Sequence, residues 1–238
     1  MKHDIVGLIG AMDVEVRKLV DALQDPEEIR IADTVFYKGR IGSVQTVVMR
    51  CGIGKVNAAR GAQMMIDRFS PDVIINSGIA GGIEPSLKVG SIVVADGLLQ
   101  HDFDVTGFGY ARGYLFTGDG SKPSVFEADP EWADLLKKAA CDTTDPSRVV
   151  TGPIASGDVF VSSAEKKKDI WDSFKAYACE MEGTAIGQTC FYSHVPFAVI
   201  RVISDQADGK ASDSYETFEK ETADLSADIM LKLLKDLA

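Results

Sequence analysis

Three carboxylates, far apart along the chain, stand where an apolar run meets a turn or a helix. They are Glu15 in Gly10-Ala11-Met12-Asp13-Val14-Glu15-Val16, Glu182 in Cys179-Glu180-Met181-Glu182-Gly183-Thr184-Ala185, and Asp205 in Arg201-Val202-Ile203-Ser204-Asp205. A charge in such surroundings avoids a full desolvation penalty only if it is paired, hydrogen-bonded or aimed at a ligand. Acids of that kind supply general acid–base catalysis or steady a developing positive charge. Glu15 and Glu182 also have a purely structural explanation, because the helix macrodipole favours an acid near a first turn whatever else it does. Asp205 is harder to explain that way, since it closes Phe197 to Ile203, the most apolar strand of the sequence.

The elements that would carry these acids follow from periodicity. Ile5 to Ile9 reads as a buried strand, followed by a helix with Met12, Val16, Leu19, Val20 and Leu23 on one face, which Glu15 borders. Thr34 to Lys38 and Val44 to Met49 form a hairpin around Gly39-Arg40-Ile41-Gly42, and Val56 to Phe69 a helix stopped by Ser70-Pro71. Asp72 to Asn76 is a short apolar strand that ends in a glycine turn, Ser77-Gly78-Ile79-Ala80-Gly81-Gly82; Val89 to Ala95 is another strand. Gly107 to Gly120, rich in glycine and in Phe108, Tyr110, Tyr114 and Phe116, suits a loop wall, a lid or a subunit contact.

Asp129-Pro130 opens a helix to about Ala140, and Ser162-Ser163 opens another whose run Lys166-Lys167-Lys168 reads as a solvated face. Val149 to Ala155 is a strand between them, and a last helix presents Leu225, Ile229, Leu233 and Leu237 on one face. Strands alternating with helices, with one early hairpin, predict a three-layer α/β fold with a central mixed, twisted β-sheet flanked by helices. The glycine turn after Asn76, the turn at Gly157 and Asp205 all follow strands, the position where such sheets collect ligands.

Composition narrows the partners. The chain has 238 residues, 45% of them apolar, enough for one domain spanning 1–238 with a sizeable core. A formal charge of −11 disfavours a nucleic-acid backbone or an anionic membrane, which leaves small molecules. Cys51, Cys141, Cys179 and Cys190 show no C-x-x-C spacing, and His3, His101 and His194 are scattered, so neither a disulfide framework nor a metal site is expected and a cytoplasmic setting fits. Ile5 to Ile9 is too short for a signal segment or a membrane span.

Two tempting motifs fail. Gly52-Ile53-Gly54-Lys55 lacks the glycine spacing and the following Ser or Thr of a phosphate loop, and Asn57 stands where a dinucleotide fingerprint needs its third glycine. His101-Asp102-Phe103-Asp104 alternates so that His101 and Phe103 share a face opposite both acids, which makes a structural role for Asp102 or Asp104 the expectation.

Six segments taken together are more specific. Gly10-Ala11-Met12-x-x-Glu15-Val16, Gly52-Ile53-Gly54-Lys55-Val56, Asp72-Val73-Ile74-Ile75-Asn76 with Gly78-x-Ala80-Gly81-Gly82, Ser156-Gly157-Asp158-x-Phe160, Glu180-Met181-Glu182-x-Thr184-Ala185 and Arg201-x-Ile203-Ser204-Asp205 follow one another from the first strand to the last. In that order they resemble the bacterial 5′-methylthioadenosine/S-adenosylhomocysteine nucleosidases; the wider purine nucleoside phosphorylase superfamily shares a diluted form.

The resemblance implies hydrolysis of the bond joining adenine to a 5′-substituted ribose, without a cofactor, as part of methionine salvage. It implies that Asp205 protonates adenine at N7, that Glu182 holds the ribose hydroxyls beside the cationic sugar, and that Glu15 deprotonates the attacking water. It further implies that Phe160 stacks on adenine, the Val161 backbone bonds its edge, Met181 packs beneath the ribose and Arg201 orients one of the glutamates. The 5′ tail would lie among Met12, Ile53, Val105, Phe108 and Tyr215, with Val105 and Phe108 supplied by the second subunit of a homodimer. The chain departs from its relatives at Ile79, often Ser or Thr near the aspartate, at Tyr215, often Phe, and at Phe116, where a proline occurs. Two rival readings remain: a phosphorylase, which would need cations for phosphate, and a non-catalytic nucleoside-binding protein, which would not need a water-activating base.

Overall fold

The computed structural model describes residues 5–237; His3 lies outside them. In chain order the elements are β1 (Ile5–Gly10), α1 (Asp13–Asp21), β2 (Gln24–Ile31), β3 (Thr34–Ile41), β4 (Val44–Arg50), α2 (Lys55–Phe69), β5 (Val73–Gly82) and β6 (Ile92–Gln100). There follow β7 (Phe126–Glu127), α3 (Pro130–Thr143), β8 (Val149–Ser156), α4 (Ala164–Phe174), β9 (Ala178–Glu180), α5 (Gly183–Ser193), β10 (Phe197–Asp205) and α6 (Ala211–Asp236).

The strands form one mixed sheet in the order β10-β6-β8-β9-β5-β1-β4-β3-β2. Because β10 also pairs with β5, the strands β5, β10, β6, β8 and β9 close into a ring, from which the remainder extends as an open sheet. The expected mixed sheet is present; its closure is not visible in hydrophobic periodicity, which fixes faces but not which strand bonds which.

Side-chain alternation builds the layers. Ile9, Val47, Met49, Ile74, Val199 and Ile203 pack with α2 and α5 on one face. Their chain neighbours Leu8, Val48, Ile75, Ile200 and Val202 pack with α1, α3 and α6 on the other. Helix starts follow their caps: Asp129 accepts the Trp132 amide ahead of Pro130, and Ser163 accepts the Lys166 amide.

Several expectations are corrected. The residues 77–82 are not a turn; β5 runs through them to Gly82, buried at every position. The strand expected at Val89 starts at Ile92 and runs to Gln100. β2 was not anticipated, because its exposed, charged sequence with Pro26 is that of an edge strand rather than an alternating one. The expected face of α6 does pack on the core, with Ile229 and Leu233 buried and Leu225 and Leu237 partly so, and it widens to include Ala227, Met230 and Leu234. Segment 107–120 is irregular as expected beyond a single 3-10 turn at Thr106–Phe108, with the Tyr110, Tyr114 and Phe116 rings clustered at centroid distances of 5.0–5.7 Å.

Candidate active site

Glu15 stands in the first turn of α1 and reaches back over it. Its Oε2 accepts the amides of Ala11 at 2.7 Å and Met12 at 2.9 Å, and its Oε1 accepts the Ile79 amide of β5 at 3.1 Å. Burial pushes this carboxyl up from its ordinary range, while the Arg201 charge and the three amides pull it down. Gly78 is required opposite it, because a Cβ there would collide with Glu15 Oε1. The glycines of β5 thus make room for carboxylates rather than for a bend: a Cβ at Gly81 would lie 3.0 Å from Asp205 Oδ1.

Asp205 owes its direction to a bulge. Ile203 pairs with Ala80 but Asp205 pairs with Gly81, so Ser204 is one residue extra in β10. Adjacent residues of a regular strand face opposite sides, yet Ser204 and Asp205 both line the pocket. The Ser204 hydroxyl donates to Asp205 Oδ2 at 2.9 Å and the Ala207 amide to Oδ1 at 2.8 Å. Burial raises the carboxyl, assisted by Asp208 and opposed by these donors and Lys167. Ile79 contributes no side-chain partner to the aspartate, which the Ser204 hydroxyl and the Ala207 amide orient instead; the Ile79 amide serves Glu15.

Glu182 stands at the N-cap position of α5 without a side-chain bond to the helix; its Oε1 instead accepts the Gly54 amide at 2.7 Å, with Gly54 at φ +97°. Burial and the neighbouring Glu180 push it upward. Glu180 itself is the partner of Arg201, the two forming a buried ion pair at 2.5 Å. Its Oε2 also accepts the amides of Glu182 at 3.1 Å and Gly183 at 2.7 Å, and its Oε1 the Ser156 hydroxyl. Arg201 therefore orients neither Glu15 nor Glu182 directly: it clamps Glu180 and Asn76, and Glu180 holds the start of α5. The sequence reading missed Glu180 and Ser204 as site-builders, although Glu180, two residues before Glu182 in the same segment, is the signal that could have found one of them.

Glu15, Glu182 and Asp205 come together in a cavity of about 430 Å³, lined also by Met12, Ile53, Ile79, Phe160, Met181 and Tyr215. Of the other expected residues, Val161 is buried beside the cavity without lining it, and Arg201 lies behind it. Val105 and Phe108 do not line the cavity of their own chain, and Phe108 is 82% exposed. At the mouth the Phe160 and Tyr215 rings meet edge to face at 5.9 Å, and the Tyr215 hydroxyl donates to Glu219. Burial, then Glu182 and Glu15, push the Cys51 thiol up to about 12. Asp102 is tied to Lys55 at 2.7 Å and to the Asp158 amide at 2.9 Å, and Asp104 closes a turn with Thr106, so both acids are structural.

A cavity lined by carboxylates from α1, β9, the start of α5 and the end of β10, with no lysine or arginine in its lining among the described residues, suits a neutral ligand that becomes cationic. The family model of the phosphorylase superfamily matches residues 5–238. The 5′-methylthioadenosine/S-adenosylhomocysteine nucleosidase of Staphylococcus saprophyticus is 42% identical over 98% of this chain and 100% of its own. The crystal structure of the Neisseria meningitidis nucleosidase in complex with methylthio-immucillin-A superposes with a TM-score of 0.92 at 36% identity, covering 99% of this chain and 100% of that one. Futalosine hydrolase of Helicobacter pylori matches with a TM-score of 0.90 at 32% identity, covering 98% of each chain. The chain belongs to the 5′-methylthioadenosine/S-adenosylhomocysteine nucleosidase family of the phosphorylase superfamily.

Proposed function

We propose that this chain hydrolyses the N-glycosidic bond of 5′-substituted adenosines, releasing adenine and the substituted ribose. One observation carries the choice of water as nucleophile: the cavity gathers Glu15, Glu182 and Asp205 with Glu180, and no lysine or arginine lines it among the described residues. A phosphate dianion entering there would meet carboxylates and no cation, whereas a ribosyl cation would be steadied. Asp205, whose carboxyl burial raises from its ordinary range, donates its proton to N7 of the leaving adenine. Glu182 accepts hydrogen bonds from the ribose hydroxyls, and Glu15, held by three amides, takes the proton of the attacking water. Incubation of the purified chain with methylthioadenosine in phosphate-free buffer is expected to release adenine and methylthioribose. Ribose 1-phosphate ester formation that depends on added phosphate would establish the phosphorylase reading, and substrate binding without turnover the binding-protein reading.

The active form we infer is a cytoplasmic homodimer in methionine salvage. Supporting the dimer, Ile53, Val56, Phe191 and Tyr192 on or beside α2 and α5 are exposed together with Phe108, which serves no purpose in its own chain's cavity. With Phe108 and Val105 covering a neighbour's tail pocket, Phe108→Ala is expected to raise KM for methylthioadenosine about tenfold, the scale of one lost apolar contact, with little change for adenosine. A monomer by sedimentation, or equal effects on both substrates, would remove this assignment.

A further inference from the structure

We propose that Lys167 is a positioning residue for the catalytic acid, acting on Asp205 through the single peptide unit that joins Gln206 to Ala207. The inference rests on the reading of Asp205 as proton donor. Lys167 Nζ donates to the Gln206 carbonyl oxygen at 2.8 Å, and the Ala207 amide donates to Asp205 Oδ1 at 2.8 Å. That carbonyl and that amide belong to one planar group and point in opposite directions. Ammonium, peptide and carboxyl therefore form a continuous chain of donors and acceptors. A cation on the carbonyl oxygen polarises the peptide and strengthens its N–H as a donor. The strengthened donor favours the carboxylate that remains once the proton has moved to the purine.

The expected solvated face at Lys166 to Lys168 thus breaks at its middle residue. Lys166 pairs with Asp169 at 3.2 Å and Lys168 pairs with Asp172, both within α4, while Lys167 crosses to the segment after β10. That segment needs an outside hold, because Ala207 has φ +49°, in the left-handed region that residues other than glycine seldom occupy. Its methyl is buried with Ile83, Leu99 and Cys179, in space that Gly81 leaves free. The groups facing Asp205 are Asp208 from its own segment, the Cys179 thiol of β9, the Tyr215 hydroxyl of α6 and Lys167 of α4. Of these, Lys167 is the cation.

Lys167→Met in the full-length protein keeps the length of the side chain and removes its charge and its donor. It is expected to lower kcat about tenfold with KM nearly unchanged, as for a weakened general acid. Asp205 would then hold its proton to higher pH, so the alkaline limb of the kcat profile is expected to rise by about half to one pH unit. The acid limb, set by Glu15, is expected to stay, and Lys167→Arg to restore both rate and limb. If the methionine variant melts early, Lys167→Gln takes its place in the same comparison. An alkaline limb that stays put, whether or not kcat falls, overturns the proposal, because loss of structure alone lowers the rate without moving the limb. Failure of the parent chain to release adenine would overturn the hydrolase reading itself and this inference with it.

Discussion

Asparagine in place of Asp205 is expected to lower kcat for adenine release by about 10³- to 10⁴-fold, the upper range for loss of a general acid, while KM stays close to that of the parent. Adenine that departs without a proton on N7 carries a full negative charge into a cavity already lined by Glu15, Glu182 and Glu180. No lysine or arginine lines that cavity among the described residues to receive it, so the proton from Asp205 has no substitute. Folding is expected to survive. The asparagine oxygen can accept the Ala207 amide as Asp205 Oδ1 does at 2.8 Å, and its NH2 can donate to the Ser204 hydroxyl, which turns to accept. Thermal melts alongside steady-state kinetics separate the two effects; an asparagine variant that keeps more than about a tenth of the parent kcat, a loss of under 1.4 kcal/mol, would show that Asp205 is not the acid.

The surroundings of the two key carboxyls differ in their hydrogen bonds. Burial raises both. Glu15 receives three amides and the field of Arg201, all favouring its charged form, whereas Asp205 receives one amide, one hydroxyl and the field of Lys167, against which Asp208 acts. The proposed roles need Glu15 as the base and Asp205 as the acid at the same pH. Turnover is lost as pH falls and Glu15 protonates, and lost again as pH rises and Asp205 ionises.

Much of this was legible in the sequence, and what was not has a physical reason. Glu15, Glu182 and Asp205 announced themselves as charges at the ends of apolar runs, and the chain does fold them into one cavity. The caps at Asp129 and Ser163 were legible because their chemistry is local. The glycines after Asn76 misled because a glycine signals a missing Cβ, not its cause; at Gly78 and Gly81 the cause is two carboxylates contributed by α1 and β10. The pairing of Arg201 with Glu180 and the crossing of Lys167 to Gln206 join residues 21 and 39 positions apart, so no periodicity within one element encodes them. The bulge at Ser204 was equally hidden, since it exists only relative to the register of β5.

Glutamine in place of Glu15 is expected to lower kcat by about 10²- to 10⁴-fold, the span for a general base, and to abolish the acid limb of the pH profile in whatever turnover remains. Its effect on stability carries the opposite sign from that of an ordinary buried acid lost. Glu15 has a folded pKa raised above its ordinary value of 4.5, so its contribution to stability is full below the unfolded value and is lost as pH rises through the folded one. Near neutral pH the parent protein bears the cost of a desolvated charge that a glutamine does not. Against that relief stands one mismatch: with its oxygen on the Ala11 and Met12 amides, the glutamine NH2 faces the Ile79 N–H, donor against donor, costing about 1 kcal/mol or somewhat more. The mismatch does not titrate and the relief does. The melting temperature of Glu15→Gln measured against the parent is therefore expected to climb as pH rises from 4.5 toward neutrality, levelling off once the folded carboxyl has ionised. A difference that stays flat over that interval would mean that Glu15 is already ionised at its acid end, in which case the base needs no activation by burial. Near-parental turnover by the glutamine variant would leave the water with some other base, and no second carboxyl in the cavity is held by three amides as Glu15 is.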